Sequence, residues 1–203
     1  MKIRTIGLIL AILFTLPLVF PVAGFCESAK VVTETFMVPA QDAGIQLHVR
    51  NKHPEGVSKF SEDRVVLFVH GATYPSEAGF DTPLGGVSWM DFVAERGWDV
   101  YAMDVRGYGR STRPPQMDQP PDQNPPIVNT YMAVSDLGSV VDYILKRRGV
   151  ARINLVGWSW GTVITGAFTA LYNAKVERLV LYAPLWVVKD PPAAAEIAVA
   201  SRA

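Results

Sequence analysis

The chain has 203 residues, of which 49% are apolar, and its 19 basic and 19 acidic residues give a formal net charge of zero. This length suits one domain with a substantial hydrophobic core and is short for two. The balanced charge gives no indication of nucleic-acid binding, and a single cysteine, Cys26, excludes an intrachain disulfide framework.

Residues 1–25 have the pattern of a secretory signal peptide. Lys2 and Arg4 precede an uncharged apolar run that ends in Pro21-Val22-Ala23-Gly24. Because Pro17 and Pro21 would break a helix near the end of this run, we expect cleavage after Gly24 and export of the mature chain to a periplasm or beyond. The alternative is an uncleaved membrane anchor, since the uncharged stretch is nearly long enough to span a bilayer.

The first predicted strands differ in their burial. Residues 31–38 and 45–50 predict a half-exposed antiparallel hairpin, because apolar and polar residues alternate in the second strand. His48 falls on the polar side of that alternation and His53 in the loop after it, so we expect both to face solvent. The continuous apolar run over 65–69 instead predicts a strand buried on both faces.

The remaining predicted elements alternate between helix and strand. They are a helix over 86–96, a strand over 99–105, a helix over 130–148, a strand over 152–156, a helix over 160–173 and a strand over 177–183. The first of these helices is expected to bury Trp89, Phe92 and Val93. This order predicts an α/β fold with a doubly wound, mostly parallel sheet, in which ligand sites lie at the carboxyl ends of the strands.

A proline-rich stretch separates two of these elements. Residues 113–126 contain three proline pairs, which exclude a helix or a central strand. We expect a stiff surface loop at the carboxyl edge of the sheet. It either forms the rim of a substrate site or serves only as a connection.

The sequence Gly157-Trp158-Ser159-Trp160-Gly161 joins a predicted buried strand to a predicted helix. The glycines permit a close crossing of strand and helix, which leaves Ser159 strained and exposed at the sheet edge. Backbone N–H groups at the helix N-terminus stabilise negative charge that develops there. Such a short motif also arises by chance, so the strand before it and the helix after it carry the prediction of a nucleophile elbow.

Three motifs in this order resemble the α/β-hydrolase fold superfamily, and the resemblance covers residues 31–203. His70-Gly71 resembles the oxyanion loop, the segment from Asp104 to Ser111 (Asp-x-Arg-Gly-x-Gly-x-Ser) resembles the loop after the fourth strand, and the Gly-x-Ser-x-Gly turn resembles the elbow. A serine in that turn argues against the related haloalkane dehalogenases and epoxide hydrolases, which place an aspartate there.

The resemblance also implies roles for individual residues. Ser159 would be the nucleophile, the backbone N–H groups of Ala72 and Trp160 would form the oxyanion hole, and His70 would brace its loop. No cofactor and no metal are implied. Trp158 and Trp160 hint at a small-molecule substrate with an apolar acyl part, although packing is the commoner role of aromatic side chains.

The chain departs from the superfamily after Ser159. There the order is nucleophile, acid, histidine, yet all three histidines of this chain precede Ser159. Asp190 is a weak candidate for the acid, and a solvated loop residue is the alternative. We therefore expect residues 26–203 to be a partial hydrolase domain that ends at the start of a lid, before the catalytic histidine. Residues 179–182 are then expected to be an exposed apolar edge strand.

Two hypotheses follow for the function. The first is an exported serine hydrolase that cleaves an ester or similar acyl bond through an acyl-enzyme at Ser159, with this chain a truncated form. The second is a non-catalytic protein that retains the fold for binding or through decay.

Overall fold

A six-stranded mixed sheet forms the centre of the computed structural model, which describes residues 30–185. The strands are β1 (Val31–Pro39), β2 (Gln46–Pro54), β3 (Val65–Val69), β4 (Asp99–Met103), β5 (Ile153–Trp158) and β6 (Val176–Tyr182). Their order across the sheet is β1-β2-β4-β3-β5-β6. The pairs β1–β2 and β2–β4 are antiparallel and the other three are parallel. The predicted α/β fold with a mostly parallel sheet is confirmed, whereas the predicted signal peptide and Asp190 lie outside the described residues.

In the described part of the chain, four α-helices cover the sheet: α1 (Ser76–Phe80), α2 (Trp89–Ala94), α3 (Thr130–Arg148) and α4 (Trp160–Leu171). Helix α3 has the bounds that the sequence predicts. The Asn129 side chain accepts a hydrogen bond from the Met132 N–H at its start, and Gly149 adopts φ 67° at its end. None of the helices within residues 30–185 is long and apolar enough for a membrane crossing.

The core lies on both faces of the sheet. In β3, Val65, Leu67 and Val69 pack in the cluster that includes α3 and α4, while Val66 and Phe68 pack in the cluster that includes α1 and α2. All five side chains of this strand are buried, as its apolar run predicts. Burial on both faces explains why β3 carries no alternation of polar residues.

The predicted inner face of the helix over 86–96 is only partly confirmed: Val93 packs against the core, and the Trp89 ring contacts Phe68 at one edge of it. Trp89 and Phe92 are 40% and 48% exposed, whereas Met90 and Ala94 are fully buried. Ser88 caps α2: its hydroxyl accepts a hydrogen bond from the Asp91 N–H, and the Asp91 carboxylate accepts one from the Ser88 N–H. This cap fixes the start of the helix at Trp89 and turns the i, i+4 pair of Met90 and Ala94 toward the sheet.

The predictions for the two histidines of the hairpin are wrong. His48 is only 4% exposed, and His53 lies within β2, half-buried, because that strand continues to Pro54. Strand β2 lies between β1 and β4 and contacts side chains on both faces, so its polar positions are covered. The strand on the outside of the hairpin, β1, keeps the half-exposed pattern.

Strand β6 forms one edge of the sheet as described. Val180, Leu181 and Tyr182 are 51%, 45% and 54% exposed. Within residues 30–185, β5 is the only strand that pairs with β6. The predicted exposed apolar edge is thus present in this part of the chain.

Candidate active site

Ser159 sits at the turn between β5 and α4 in a strained conformation. Its φ of 53° and ψ of −118° place a non-glycine residue in a sparsely populated region, which costs on the order of 1–3 kcal/mol. The Ser159 N–H donates to the Tyr182 carbonyl (3.1 Å), and the Ser159 carbonyl accepts from the Thr162 N–H (2.9 Å). Bonds on both sides therefore hold the serine in this conformation.

The two glycines of the turn are required by close backbone approaches. A Cβ atom at Gly157 would lie 2.7 Å from the carbonyl carbon of Gly161 and would overlap the Gly161 oxygen and Thr165 Oγ1. A Cβ atom at Gly161 would lie 2.7 Å from the His70 carbonyl oxygen. The motif is therefore built for the crossing of α4 over β5 and β3, as its pattern predicts.

The loop after β3 lies against Ser159. A Cβ atom at Gly71 would be 3.0 Å from the Ser159 Cβ and 3.4 Å from its Oγ. Ala72 is the next residue, and Trp160 is the first residue of α4, whose N–H has no intrahelical partner. Among residues 30–185 neither of these two N–H groups donates a backbone hydrogen bond. The structure thus brings Ser159 and the two predicted oxyanion donors to one edge of the sheet.

His70 holds the loop that carries Ala72. Its Nε2 accepts a hydrogen bond from the Val105 N–H (3.1 Å), so Nδ1 carries the proton and donates to the Gly71 carbonyl (2.6 Å). Burial lowers the pKa of the His70 imidazole below its ordinary value. The ring is therefore neutral, with both nitrogens engaged in hydrogen bonds.

The other two histidines also contact groups away from the serine. His48 Nδ1 lies 3.3 Å from Asp104 Oδ2, and His53 Nε2 lies 3.4 Å from Glu34 Oε2. No imidazole of residues 30–185 is thus placed as a base for Ser159. The predicted acid, Asp190, lies outside the described residues.

The loop after β4 is organised by a buried carboxylate. Asp104 accepts hydrogen bonds from the Ser76 N–H (2.9 Å), the Ser76 hydroxyl (2.7 Å) and the Arg110 N–H (3.1 Å). Burial alone would raise the pKa of Asp104, but its contacts with His48, Ser76 and Arg110 outweigh that effect and lower the pKa to about 2. Gly109 adopts φ 49°, and a side chain there would overlap this carboxylate. Asp104 therefore anchors the start of α1 as an anion at neutral pH.

Arg106 of the same loop reaches α3. Its Nε and Nη2 bind Asp136 at 2.9 and 2.6 Å, and its Nη1 lies 2.5 Å from Asp42. Asp136 is fully buried, and its hydrogen bonds with Arg106 raise the pKa of the guanidinium. Sequence reasoning recognised the motif but missed this partner, which follows Arg106 by 30 positions.

A second charge cluster fastens β2 to α1 and α2. The Lys52 ammonium is 2.5 Å from both Asp81 and Asp91, and Asp81 also accepts hydrogen bonds from Arg50 (2.5 Å) and from the Ser88 hydroxyl (2.6 Å). The Lys52 side chain is only 8% exposed. Nothing in the sequence near Lys52 identifies these acids, because they follow it by 29 and 39 positions.

The tryptophans that flank Ser159 both pack against neighbouring elements. A Cβ atom at Gly79 would lie 3.3 Å from the Trp158 ring, and Trp160 Nε1 donates to Thr130 Oγ1 (3.1 Å).

In the proline-rich loop, Met117 packs on Gly107, where a Cβ atom would lie 2.7 Å from the sulfur. The loop thus rests on the segment after β4, and it contains a cleft of about 480 Å³. Residues 30–185 hold no cluster of metal-ligating side chains.

A sequence profile of the alpha/beta hydrolase fold matches residues 64–202. The chain belongs to the alpha/beta hydrolase fold family. The chain is 29% identical over 147 residues to human serine hydrolase BPHL, covering 72% of this chain and 42% of that protein. It is 28% identical over 167 residues to a probable lipase of Schizosaccharomyces pombe, covering 81% of this chain and 37% of that protein. The chain thus spans about two fifths of the length of these curated relatives.

Solved structures share the fold. The Vigna radiata epoxide hydrolase matches with a TM-score of 0.56 at 22% identity, covering 82% of this chain and 45% of that one. The potato (Solanum tuberosum) epoxide hydrolase I matches with a TM-score of 0.57 at 22% identity, covering 83% and 46%. A thioesterase domain from the curacin biosynthetic pathway matches with a TM-score of 0.55 at 18% identity, covering 83% and 50%. At identities of 18–22%, this structural similarity establishes only the fold of the chain.

Proposed function

We propose that this protein is an exported serine hydrolase that cleaves an ester or similar acyl bond of a small molecule through an acyl-enzyme at Ser159. The observation that carries the proposal is the strained Ser159, held at the N-terminus of α4 and against Gly71. Strain of this kind is retained where it presents a side chain for chemistry. The relatives named serine hydrolase and probable lipase support the same reaction class.

The chemistry begins at the Ser159 hydroxyl. Its oxygen attacks the acyl carbonyl while a base takes its proton, the alcohol leaves with a proton, and water then hydrolyses the serine ester. Negative charge develops on the carbonyl oxygen, and the N–H groups of Ala72 and Trp160 are the proposed donors to it. One such donor contributes about 3 kcal/mol to the transition state.

The base and the acid of this mechanism come from outside residues 30–185. His48, His53 and His70 are engaged with Asp104, Glu34 and the Gly71 loop. We propose that a longer form of the protein supplies the histidine, with Asp190 as the candidate acid. The share of the curated relatives that this chain spans, 42% and 37%, supports this part of the proposal.

Export and substrate are further parts of the proposal. Export rests on the signal-peptide pattern of residues 1–25, and N-terminal sequencing of the protein from a secreting host tests it, with a start after Gly24 as the expected result. An apolar acyl group rests on Trp158 and Trp160 beside the serine. Comparing acyl chains of increasing length in an esterase assay tests this preference.

The alternative is a non-catalytic protein that retains this fold. Its support is that the three histidines lie beside Asp104, Glu34 and the Gly71 carbonyl rather than beside Ser159, because an unactivated serine hydroxyl is a weak nucleophile. In this alternative the edge of the sheet around Ser159 binds a ligand without converting it.

The deciding experiment is labelling of the purified chain with a fluorophosphonate probe. Wild type, Ser159→Ala and Ser58→Ala are compared, since Ser58 is an exposed loop serine that controls for nonspecific reaction. Labelling that is lost only in Ser159→Ala supports the hydrolase. If folded wild type remains unlabelled, residues 1–203 do not form a complete site, and labelling is repeated on the proposed longer form. Absence of labelling at Ser159 in that form as well would favour the non-catalytic alternative.

A further inference from the structure

We propose that Tyr108 is a positioning residue that fixes the Ala72 backbone for the oxyanion hole through a hydrogen bond from its hydroxyl. The inference rests on the proposed function, because it assigns Tyr108 a part in the same site. It also goes beyond that function, since Tyr108 belongs to the loop after β4 and not to the turn that carries Ser159.

Tyr108 bridges the two segments that carry the proposed donors. Its hydroxyl donates to the Ala72 carbonyl (2.8 Å), and its ring centroid lies 4.7 Å from that of His70 and 6.3 Å from that of Trp160. The Tyr108 backbone is itself fixed, since its N–H donates to the Val105 carbonyl (3.0 Å). The side chain therefore links the β4 loop to both arms of the site.

The hydrogen bonds of His70 and Tyr108 hold consecutive peptide planes. His70 Nδ1 binds the Gly71 carbonyl, which shares a plane with the Ala72 N–H, whereas Tyr108 binds the Ala72 carbonyl, which belongs to the next plane. With both planes tethered, rotation about the two backbone bonds of Ala72 is restricted. The Ala72 N–H then points in one fixed direction.

Ala72 has little else to hold it. It is exposed, as are Thr73 and Tyr74, and the next anchored residue is Ser76, which Asp104 binds. Loss of the tyrosine hydroxyl would leave the plane after Ala72 without its bond to the β4 loop. Burial raises the pKa of the Tyr108 phenol above its ordinary value, so the hydroxyl keeps its proton and remains a donor at neutral pH.

The test is Tyr108→Phe, which keeps the ring between His70 and Trp160 and removes only the hydroxyl. Tyr131→Phe is the matched control, because Tyr131 is 87% exposed on α3. The first readout is the ¹⁵N order parameter of residues 71–73, which does not depend on activity. We expect it to fall from about 0.85 toward 0.6 in Tyr108→Phe and to stay unchanged in the control.

The second readout is the kinetics of fluorophosphonate labelling. A misdirected oxyanion donor weakens only the charged transition state, so the maximal labelling rate should fall roughly tenfold with the probe's binding constant unchanged. A purely structural role would lower the melting temperature and change both constants together.

Each outcome decides a different claim. Unchanged order parameters in Tyr108→Phe overturn the positioning role whether or not Ser159 reacts, and so does a fall in the order parameters with no change in labelling rate. An unlabelled wild type shows that residues 1–203 lack an activating base, and the proposed function is then refuted only if the longer form is also unlabelled at Ser159. The order parameters alone then decide whether Tyr108 holds the Ala72 backbone.

Discussion

The two sides of the site differ in how they are held. On the side of β2 and β4, charged side chains fasten the segments that follow the oxyanion loop, with Asp104 binding Ser76 and Lys52 binding Asp81 and Asp91. On the side of β6, Ser159 is tied to the Tyr182 carbonyl of an apolar edge strand, whose Val180 and Tyr182 are more than half exposed. One side of the site is thus supported by hydrogen bonds and ion pairs of largely buried carboxylates, and the other side by a strand with an exposed face.

From this difference we expect substitutions at the buried charges to change the free energy of unfolding, and substitutions on the exposed edge strand to change self-association. Removing one partner of a buried pair leaves an uncompensated charge, which is strongly destabilising. Substituting an exposed edge residue changes what the surface can bind while leaving the folded core intact.

The largest expected effect is the loss of the Arg106–Asp136 pair. Arg106→Met leaves the fully buried Asp136 without its guanidinium and should lower the free energy of unfolding by about 3–5 kcal/mol. Urea denaturation measures the loss. Arg113→Met is the control, because its pair with Asp118 is exposed and should change stability by less than about 1 kcal/mol. Equal losses in the two variants would contradict a special role for the buried pair.

A nearly as large effect is expected at the elbow, between the two sides. Gly157→Ala forces a Cβ atom against the Gly161 carbonyl and should cost about 3 kcal/mol, with loss of any labelling at Ser159. Gly166→Ala lies in α4, where a Cβ atom meets nothing within 4 Å, and should stabilise the protein by about 0.5–1 kcal/mol. Thermal unfolding of both variants measures these changes in stability. A tolerated Gly157→Ala would show that helix and strand do not cross as closely as described.

A smaller effect concerns acid stability on the charged side. The pKa of Asp104 falls from an ordinary 3.8 to about 2 on folding, so its ionised form stabilises the fold above roughly pH 4 and this stabilisation disappears as pH falls toward 2. Wild type should therefore exceed Asp104→Asn by about 2 kcal/mol at pH 6, and the gap should narrow below pH 4. Urea titrations at several pH values check this, with Asp122→Asn in the exposed proline-rich loop as the control. A gap that is independent of pH would remove the carboxylate charge as its cause.

The smallest effect on stability is expected at the apolar edge. Leu181→Lys places a charge on an exposed position of β6 and should change the free energy of unfolding by less than about 0.5 kcal/mol, while lowering self-association. Light scattering at increasing protein concentration measures the association. Thr33→Lys, exposed on the opposite edge strand β1, should leave it unchanged. Equal self-association of the two variants would show that β6 is no more prone to association than β1.

Local patterns were sufficient for several elements. Asn129 and Gly149 mark both ends of α3, because capping and a left-handed turn are determined by single residues. The apolar run of β3 and the two elbow glycines likewise predicted a buried strand and a close crossing that the structure confirms. The same patterns were only partly right for α2, where they predicted Val93 but missed Met90 and Ala94, because a six-residue helix gives too few positions to fix the inner face.

The sequence by itself determined the α/β class, the order of most strands and helices and the position of the strained serine, since each depends on residues adjacent in the chain. Only the tertiary structure decided that His48 is buried beside Asp104, that Lys52 lies between two acids, and that Tyr108 contacts Ala72. These contacts join residues 29 to 56 positions apart. Such pairs leave no periodic trace in the sequence, because their partners are brought together only when β2, β4 and the loop after β3 meet at one side of the sheet.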